Sequence, residues 1–366
     1  MGRYYDVAED LKNYPDCWIY LIVGGRGTGK TYSTLKHVYE NKIDFVFLKR
    51  AMEDVDTLAS GYGKAGAKHT DLIDFDLNPF SALNRDLGCR VTAAGIRKGI
   101  AGFWEQDGEG QISGAPLGYI FALNGVTKYK GFDLASSKKE QYIIFDEFIP
   151  NVYDKVSRNE GLQLLDFYKT VSRDRVQRGL DEIKLICLSN ATDIANPVFD
   201  TLEIMDQVAE MQTKDQEILY IKERGIFIRK LKTSDEYLAE EEKTGIYKAM
   251  EGTAWHSMSY GNDFAYNDFT NVDKLQLKYY TPVCSFLYKR DVFYLYRKEG
   301  RYYMTYSKHN SPKVYNLNRD NEVKKCYNDI IWDLQELNIE DKVRYESYTM
   351  YDLVNNYRKI FANVMR

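Results

Sequence analysis

The sequence predicts a doubly wound α/β domain followed by a smaller α+β domain. Short apolar runs alternate with helical stretches from residue 18 to about 230. One glycine-rich loop, IVGGRGTGKT at 22–31, sits between a strand-like run and a helical one. Beyond about 274 the pattern changes to long aromatic strands.

The first domain is read from WIYLIV at 18–23, DFVFL at 44–48, GYIFAL at 118–123, YIIF at 142–145 and IKLICL at 183–188. Short continuous apolar runs bounded by polar segments are the signature of buried parallel strands, and alternation with helices winds them into one sheet. EILYIKERGIFIRKL at 217–231 reads as a hairpin around KERG that closes this domain. TSDEYLAEEEKTGIYKAM at 233–250 opens with a helix N-cap signal and an acidic first turn, so 234–272 is taken as a helical linker. CSFLYKRDVFYLYRKEGRYYMTYS at 284–307 reads as strands with KEG as a turn, and YDLVNNYRKIFANVM at 351–365 as a helix. The expected division is 1–233, 234–272 and 273–366.

Composition bounds the function. The 366 residues suffice for two cores, and 44% apolar residues with seven prolines argue against long disordered regions. Five cysteines without a CxxC pair and four histidines without metal-ligand spacing point to reduced thiols, with neither a disulfide framework nor a zinc site. No apolar signal region opens the sequence, and no run of about 18 apolar residues occurs, so a cytoplasmic protein without membrane contact is expected. Net charge is −4, which does not suggest a free nucleic-acid binder. From Lys274 onward, however, 17 Lys/Arg face 11 Asp/Glu, and 14 of the 31 tyrosines fall there. A basic, tyrosine-rich tail behind an acidic front suggests separate jobs, with the tail's cations offered to a nucleic-acid backbone. The blander reading makes most of those tyrosines half-buried sheet residues.

The loop satisfies G-x-x-x-x-G-K-[ST]. Gly24, Gly25, Arg26, Gly27, Thr28 and Gly29 would turn backbone N–H groups into one anion-binding concavity at a helix N-terminus. Lys30 would reach the β/γ-phosphates of ATP, and the Thr31 hydroxyl would ligate Mg²⁺. YIIFDEF at 142–148 is a strand ending in two carboxylates. Asp146 would hold the Mg²⁺ water shell, and Glu147 would polarise the attacking water as general base. A hydrolase needs such a base, whereas a nucleotide kinase uses its second substrate's hydroxyl. In CLSNATD at 187–193, Asn190 stands where a γ-phosphate sensor is expected, or is an ordinary strand-end Asn. SRDRVQR at 172–178 carries Arg173, Arg175 and Arg178, either a solvated loop or an arginine finger acting on a neighbour's nucleotide. Arg26 is the rival cation acting in cis.

GGRGTGKT resembles the P-loop of viral genome-packaging terminases. FVFLKR at 45–50, KYKGFD at 128–133 ahead of YIIFDEF, LLDFYKTVSRDR with ICLSNATDIANPVF at 164–199, and the tail at 288–317 are similar to the DNA-packaging ATPases of small podophages with protein-primed replication. The resemblance implies a P-loop NTPase of the additional-strand catalytic-glutamate class that forms a homopentameric ring. Such a ring would move double-stranded DNA while seated on a prohead vertex against a portal and a structural packaging RNA. The setting would be the host cytoplasm, with the mature virion lacking the motor. It matches the first Arg of the R-x-R pair to the finger, favouring Arg173 over Arg175. It also implies a C-terminal RNase H-like domain without nuclease activity, and the strands at 284–307 carry only Asp291 and Glu299. The stretch 50–117, with GYGKAGAK at 61–68 and DGEGQISGAP at 107–116, is longer and richer in glycine than the family's pattern. It is left between lining a ring channel and contacting a neighbour. A large terminase subunit with an active nuclease, and a replicative helicase or helicase loader, are the alternatives.

Overall fold

The computed structural model describes residues 4–59, 78–132, 134, 140–151, 154, 156–157, 159–261, 264, 267–311 and 313–365. GYGKAGAK at 61–68 and the final Asp133 of KYKGFD lie outside them. The chain divides into two compact units, one of Met1–Leu202 with Met211–Tyr266, the other of Glu203–Glu210 with Asn267–Arg366.

The first unit is built on a nine-stranded sheet in the order β3-β4-β5-β2-β6-β7-β1-β9-β8. Its strands are β1 (Ile19–Val23), β2 (Asp44–Lys49), β3 (Val91–Arg97), β4 (Ile100–Glu105), β5 (Gly118–Ala122), β6 (Gln141–Asp146), β7 (Lys184–Ser189), β8 (Ile218–Ile221) and β9 (Ile226–Lys230). The pairings β5·β2, β2·β6, β6·β7, β7·β1 and β1·β9 are all parallel. Each of β1, β6 and β7 is buried along almost its whole length, as a sheet covered on both faces requires. β7 lies between the strand that enters the glycine-rich loop and the strand that ends in Asp146. That interposed strand is the mark of the additional-strand class of P-loop NTPase.

Both sheet edges carry antiparallel hairpins. β8 and β9 form the expected one, with Gly225 in the left-handed region. The other was not expected: β3 and β4 pair with each other and β4 pairs with β5, so much of 50–117 extends the sheet. Within that stretch Asp107 Oδ1 accepts from the amides of Glu109 and Gln111, closing the 107–116 loop at its start. The 234–272 segment begins as read, with the Ser234 hydroxyl accepting from Tyr237 N to cap the helix Asp235–Glu241. Most of it groups with the first unit, and Glu203–Glu210 groups with the second.

The second unit has a five-stranded sheet in the order β13-β10-β11-β12-β14. β10 (Thr281–Tyr288), β11 (Asp291–Lys298) and β12 (Arg301–Thr305) form an antiparallel meander turning at Lys289–Arg290 and Glu299–Gly300. β13 (Val314–Asn316) and β14 (Val343–Tyr345) add parallel strands at the two edges. The final helix covers Tyr348–Asn355 and breaks at Asn356 before a short turn at Tyr357–Ile360. All five cysteines are free and buried.

Candidate active site

β1 delivers the chain to the loop, and the helix α1 (Lys30–Glu40) leaves it. Gly29 is the N-cap of α1 at φ +86°, and Gly27 sits at φ +70°. These left-handed angles turn the intervening amides to one side at little cost only for glycine. A Cβ at Gly27 would also stand 2.3 Å from Tyr237 Cζ, so that ring would have to shift to admit it. The loop is fastened from several sides. Tyr5 N donates to Thr28 O at 3.0 Å, Arg26 N to Ser259 O at 3.1 Å, and Gly24 N to Ser189 O at 3.1 Å.

Lys30 is 9% exposed, and its ammonium donates to the carbonyls of Gly24 at 2.9 Å and Gly25 at 2.7 Å and to the Thr28 hydroxyl at 3.2 Å. Burial lowers its pKa to about 8, against the pull of Asp146, with Arg26 adding to the depression. The Thr31 hydroxyl donates to Asp146 Oδ1 at 3.1 Å. Two hard oxygens therefore stand together at the mouth of the loop, as a Mg²⁺ held by few protein ligands plus phosphate requires. Burial, with Glu147 adding, raises the Asp146 carboxyl; Lys49, Thr31 and Lys30 oppose it. Glu147 is the residue after β6 and has φ +60°. A non-glycine residue there carries backbone strain, which among the described residues eight others share, Lys289 and Glu299 in the hairpin turns included. Arg26, Lys30, Thr31, Asp146, Glu147 and Asn190 all line one open cavity of about 380 Å³. Asn190 follows β7, beside the strand that ends in Asp146; Gly27, Thr28 and Gly29 share the lining, whereas Gly24 and Gly25 lie off it with their carbonyls on Lys30.

The two arginines of the R-x-R pair separate. Helix α2 (Glu160–Ser172) ends at Arg173, whose φ is +36° and whose exposed side chain donates from Nε to Thr170 O at 3.2 Å. Arg173 does not line the cavity of its own chain. Arg175, the other candidate for the finger, is 2% exposed and does not line the cavity. Its Nη1 donates to Gln141 Oε1 at 2.5 Å and its Nε to Asp181 O at 3.1 Å, which makes it a clamp inside the fold.

Sequence reading gave no role to Lys49 and Arg50. Lys49 Nζ lies 3.9 Å from Asp146 Oδ2 and 3.8 Å from Glu147 Oε2. Arg50 Nη2 donates to Glu147 O at 2.8 Å. The available signal was two cations ending a strand that runs parallel beside the one ending in Asp-Glu.

In the second unit Asp291 is joined by Glu203 and Asp206, carboxylates that a count of the strands alone passes over. Burial and those two neighbours raise the Asp291 carboxyl. Arg290 Nη2 donates to Glu203 Oε2, and the Tyr306 hydroxyl and Thr349 donate to Asp206. Eight of the tail's 14 tyrosines are buried, including Tyr303, Tyr315, Tyr345 and Tyr357. Tyr279 is 74% exposed, with Lys278 and Lys298 over its ring at 5.0 and 5.6 Å.

Residues 126–337, more than half of the chain, match the family described as Podovirus DNA encapsidation protein (Gp16). The chain is 23% identical over 260 residues to the DNA packaging protein of Bacillus phage B103, covering 69% of this chain and 66% of that one. It is 28% identical over 134 residues to the DNA packaging protein of Bacillus phage PZA, covering 36% of each. The matches thus span just under two thirds of the first relative's length and about a third of the second's. Its fold is shared with the phi-28 gp11 DNA packaging motor (TM-score 0.62, 19% identity, 99% of both chains). It is shared equally with the bacteriophage phi-29 genome packaging motor assembly (TM-score 0.62, 19% identity, 100% of both chains). No helix among the described residues is long and apolar enough to cross a membrane.

Proposed function

Because the chain belongs to the Podovirus DNA encapsidation (Gp16) family, we propose that it is a ring-motor ATPase that drives double-stranded DNA into a preformed capsid. The observation that carries this reading is the cavity where Lys30, the Thr31–Asp146 pair and Glu147 converge. Those residue types in that arrangement serve nucleotide hydrolysis.

The loop amides and Lys30 grip the phosphates, and α1 aims its N-terminus at them. Thr31 and Asp146 would hold Mg²⁺, which would supply positive charge to offset the charge building on the phosphates. Glu147 takes the proton of the attacking water, and Asn190 positions the γ-phosphate end. Arg173 stabilises transition-state charge in the neighbouring subunit's site, a role that suits its exposure and its place outside its own cavity. Lys278, Lys298 and their neighbours offer cations to a nucleic-acid backbone. The assembly partners follow the family and the packaging-motor structures: a ring, five-membered by resemblance, on the prohead in the host cytoplasm, with portal and packaging RNA. Nuclease activity is not part of this reading.

The test is Glu147→Gln. The amide keeps the shape and cannot take a proton, so ATP and Mg²⁺ binding stay near normal while turnover falls about 10²–10⁴-fold. Near-normal steady-state hydrolysis would remove the base assignment. Plasmid cleavage with Mn²⁺ by the intact chain would revive the nuclease alternative.

A further inference from the structure

We propose that Arg50 is the positioning residue of the hydrolytic turn, holding Glu147 by its main chain and tying that turn to the first residue of α2. The inference rests on Glu147 acting as the base.

Arg50 follows β2, and its side chain is 16% exposed. One edge meets Glu160 as a fork, Nε to Oε2 at 2.7 Å and Nη2 to Oε1 at 3.2 Å. Nη1 donates to Asp154 Oδ2 at 3.2 Å. Nη2 also reaches the carbonyls of Glu147 at 2.8 Å and Phe148 at 3.3 Å. The Phe145 ring lies under the guanidinium carbon at 5.9 Å. One planar cation therefore joins the end of β2, the turn after β6 and the start of α2. A lysine has no fork and cannot reproduce this set.

The target of these bonds gives the arrangement a catalytic meaning. Glu147 is the residue held at φ +60°. A non-glycine residue stays in that region only where its surroundings over-determine it. Arg50 fixes the carbonyls of Glu147 and of the residue after it, so it sets the direction in which the Glu147 side chain leaves the backbone. Released, the turn relaxes toward commoner angles and the carboxylate swings away from the water it must deprotonate. A misplacement of about 1 Å is enough to cost about 10²-fold in rate. Glu160 is 3% exposed, and burial raises its carboxyl against the pull of Arg50. The pair is thus mutually required. Arg50 does not line the phosphate cavity, so ground-state nucleotide contacts do not depend on it.

The experiment compares Arg50→Lys, Arg50→Ala and Glu160→Gln in the full chain, reading DNA-stimulated steady-state hydrolysis, fluorescent ATP-analogue affinity and thermal midpoint. Arg50→Lys should lose about 10²-fold in kcat with nucleotide Kd changed less than about twofold. Glu160→Gln keeps one acceptor oxygen and should show the same split with a smaller loss. Methylguanidinium added to Arg50→Ala should recover part of the rate, and methylammonium should not. Wild-type turnover by Arg50→Lys overturns the proposal. So does a loss of nucleotide affinity in step with the loss of rate in both Arg50→Lys and Glu160→Gln, which would mark a general collapse of the site. If Arg50→Ala does not fold, the other two variants decide. Glu147→Gln is run alongside: if it is inactive while Arg50→Lys is fully active, only the positioning role falls, and if it is active, the base reading falls first.

Discussion

The phosphate site and the C-terminal five-stranded unit spend their polar residues in opposite ways. Around the cavity, charged side chains collect at strand ends, half-buried and close together, at positions where they contribute little to packing. In the second unit, tyrosines lie along the strands and fill the core, while the cations remain outside. Site chemistry is therefore concentrated in a few residues with strained or desolvated settings, such as Glu147 at φ +60° and the buried Lys30. Nucleic-acid contact in the tail would be distributed over many weak, exposed groups. The same division recurs within Arg173 and Arg175, where one side chain is exposed and the other is clamped inside the fold.

Single changes should separate these two economies. Arg173→Ala should bind ATP normally yet lose about 10³-fold or more in hydrolysis within an assembled ring, with unchanged thermal stability. Arg175→Ala should do the reverse, lowering the thermal midpoint by removing a buried clamp while hydrolysis per folded ring persists. If both lose rate without losing stability, the contrast between them fails. In the second unit Tyr357→Ala should cost about 3–5 kcal/mol of stability, as for other large buried aromatics. Tyr279→Ala should stay within about 0.5 kcal/mol, measured by denaturant unfolding.

Smaller effects sharpen the same contrast. On the proposed reading Lys30 grips phosphate as a cation, and its lowered pKa of about 8 means that the gripping form is present below that pH and is lost as pH rises through it. Nucleotide affinity should therefore be flat up to neutrality and weaken above about pH 8, by as much as tenfold per pH unit. Lys30→Arg should remove that dependence where binding survives. A double Lys278→Ala, Lys298→Ala variant should weaken DNA binding only modestly but flatten its dependence on log salt by up to about two. An unchanged salt slope would move the DNA contact away from Tyr279 and its cations.

The parts of this chain that were legible in the sequence are those where local pattern and chemistry coincide. β1, β2, β5, β6 and β7 are apolar runs because both faces of a parallel sheet are buried, and the loop after β1 has the spacing expected of a phosphate-binding loop. The β3–β4 hairpin was missed for a physical reason. VTAAGIR and IAGFWE are rich in alanine and glycine, which have weak strand preference, so tertiary packing decides their structure. A Cβ at Gly102 would stand 2.8 Å from the ring of Trp104, two residues on in the same strand, and 2.9 Å from Pro116 Cβ, a crowding that shows only once the loop before β5 folds back. Arg175 was grouped with the finger candidates because sequence shows charge and not burial. Lys49 and Arg50 were passed over because their meaning comes from β2 lying beside β6, a neighbour relation between segments roughly a hundred residues apart.

The central claim is that one subunit's Glu147 works with the Arg173 of the next, and mixing two inactive variants tests it most directly. Glu147→Gln keeps its own Arg173, and Arg173→Ala keeps its own Glu147. In a mixed ring, an Arg173→Ala subunit beside a Glu147→Gln neighbour has its own base and receives the neighbour's finger, so one complete site forms. The account predicts partial recovery of ATP hydrolysis on mixing, rising and then falling with the ratio of the two. No recovery, with mixed rings shown to form, would contradict it and return the finger to Arg26 acting in cis.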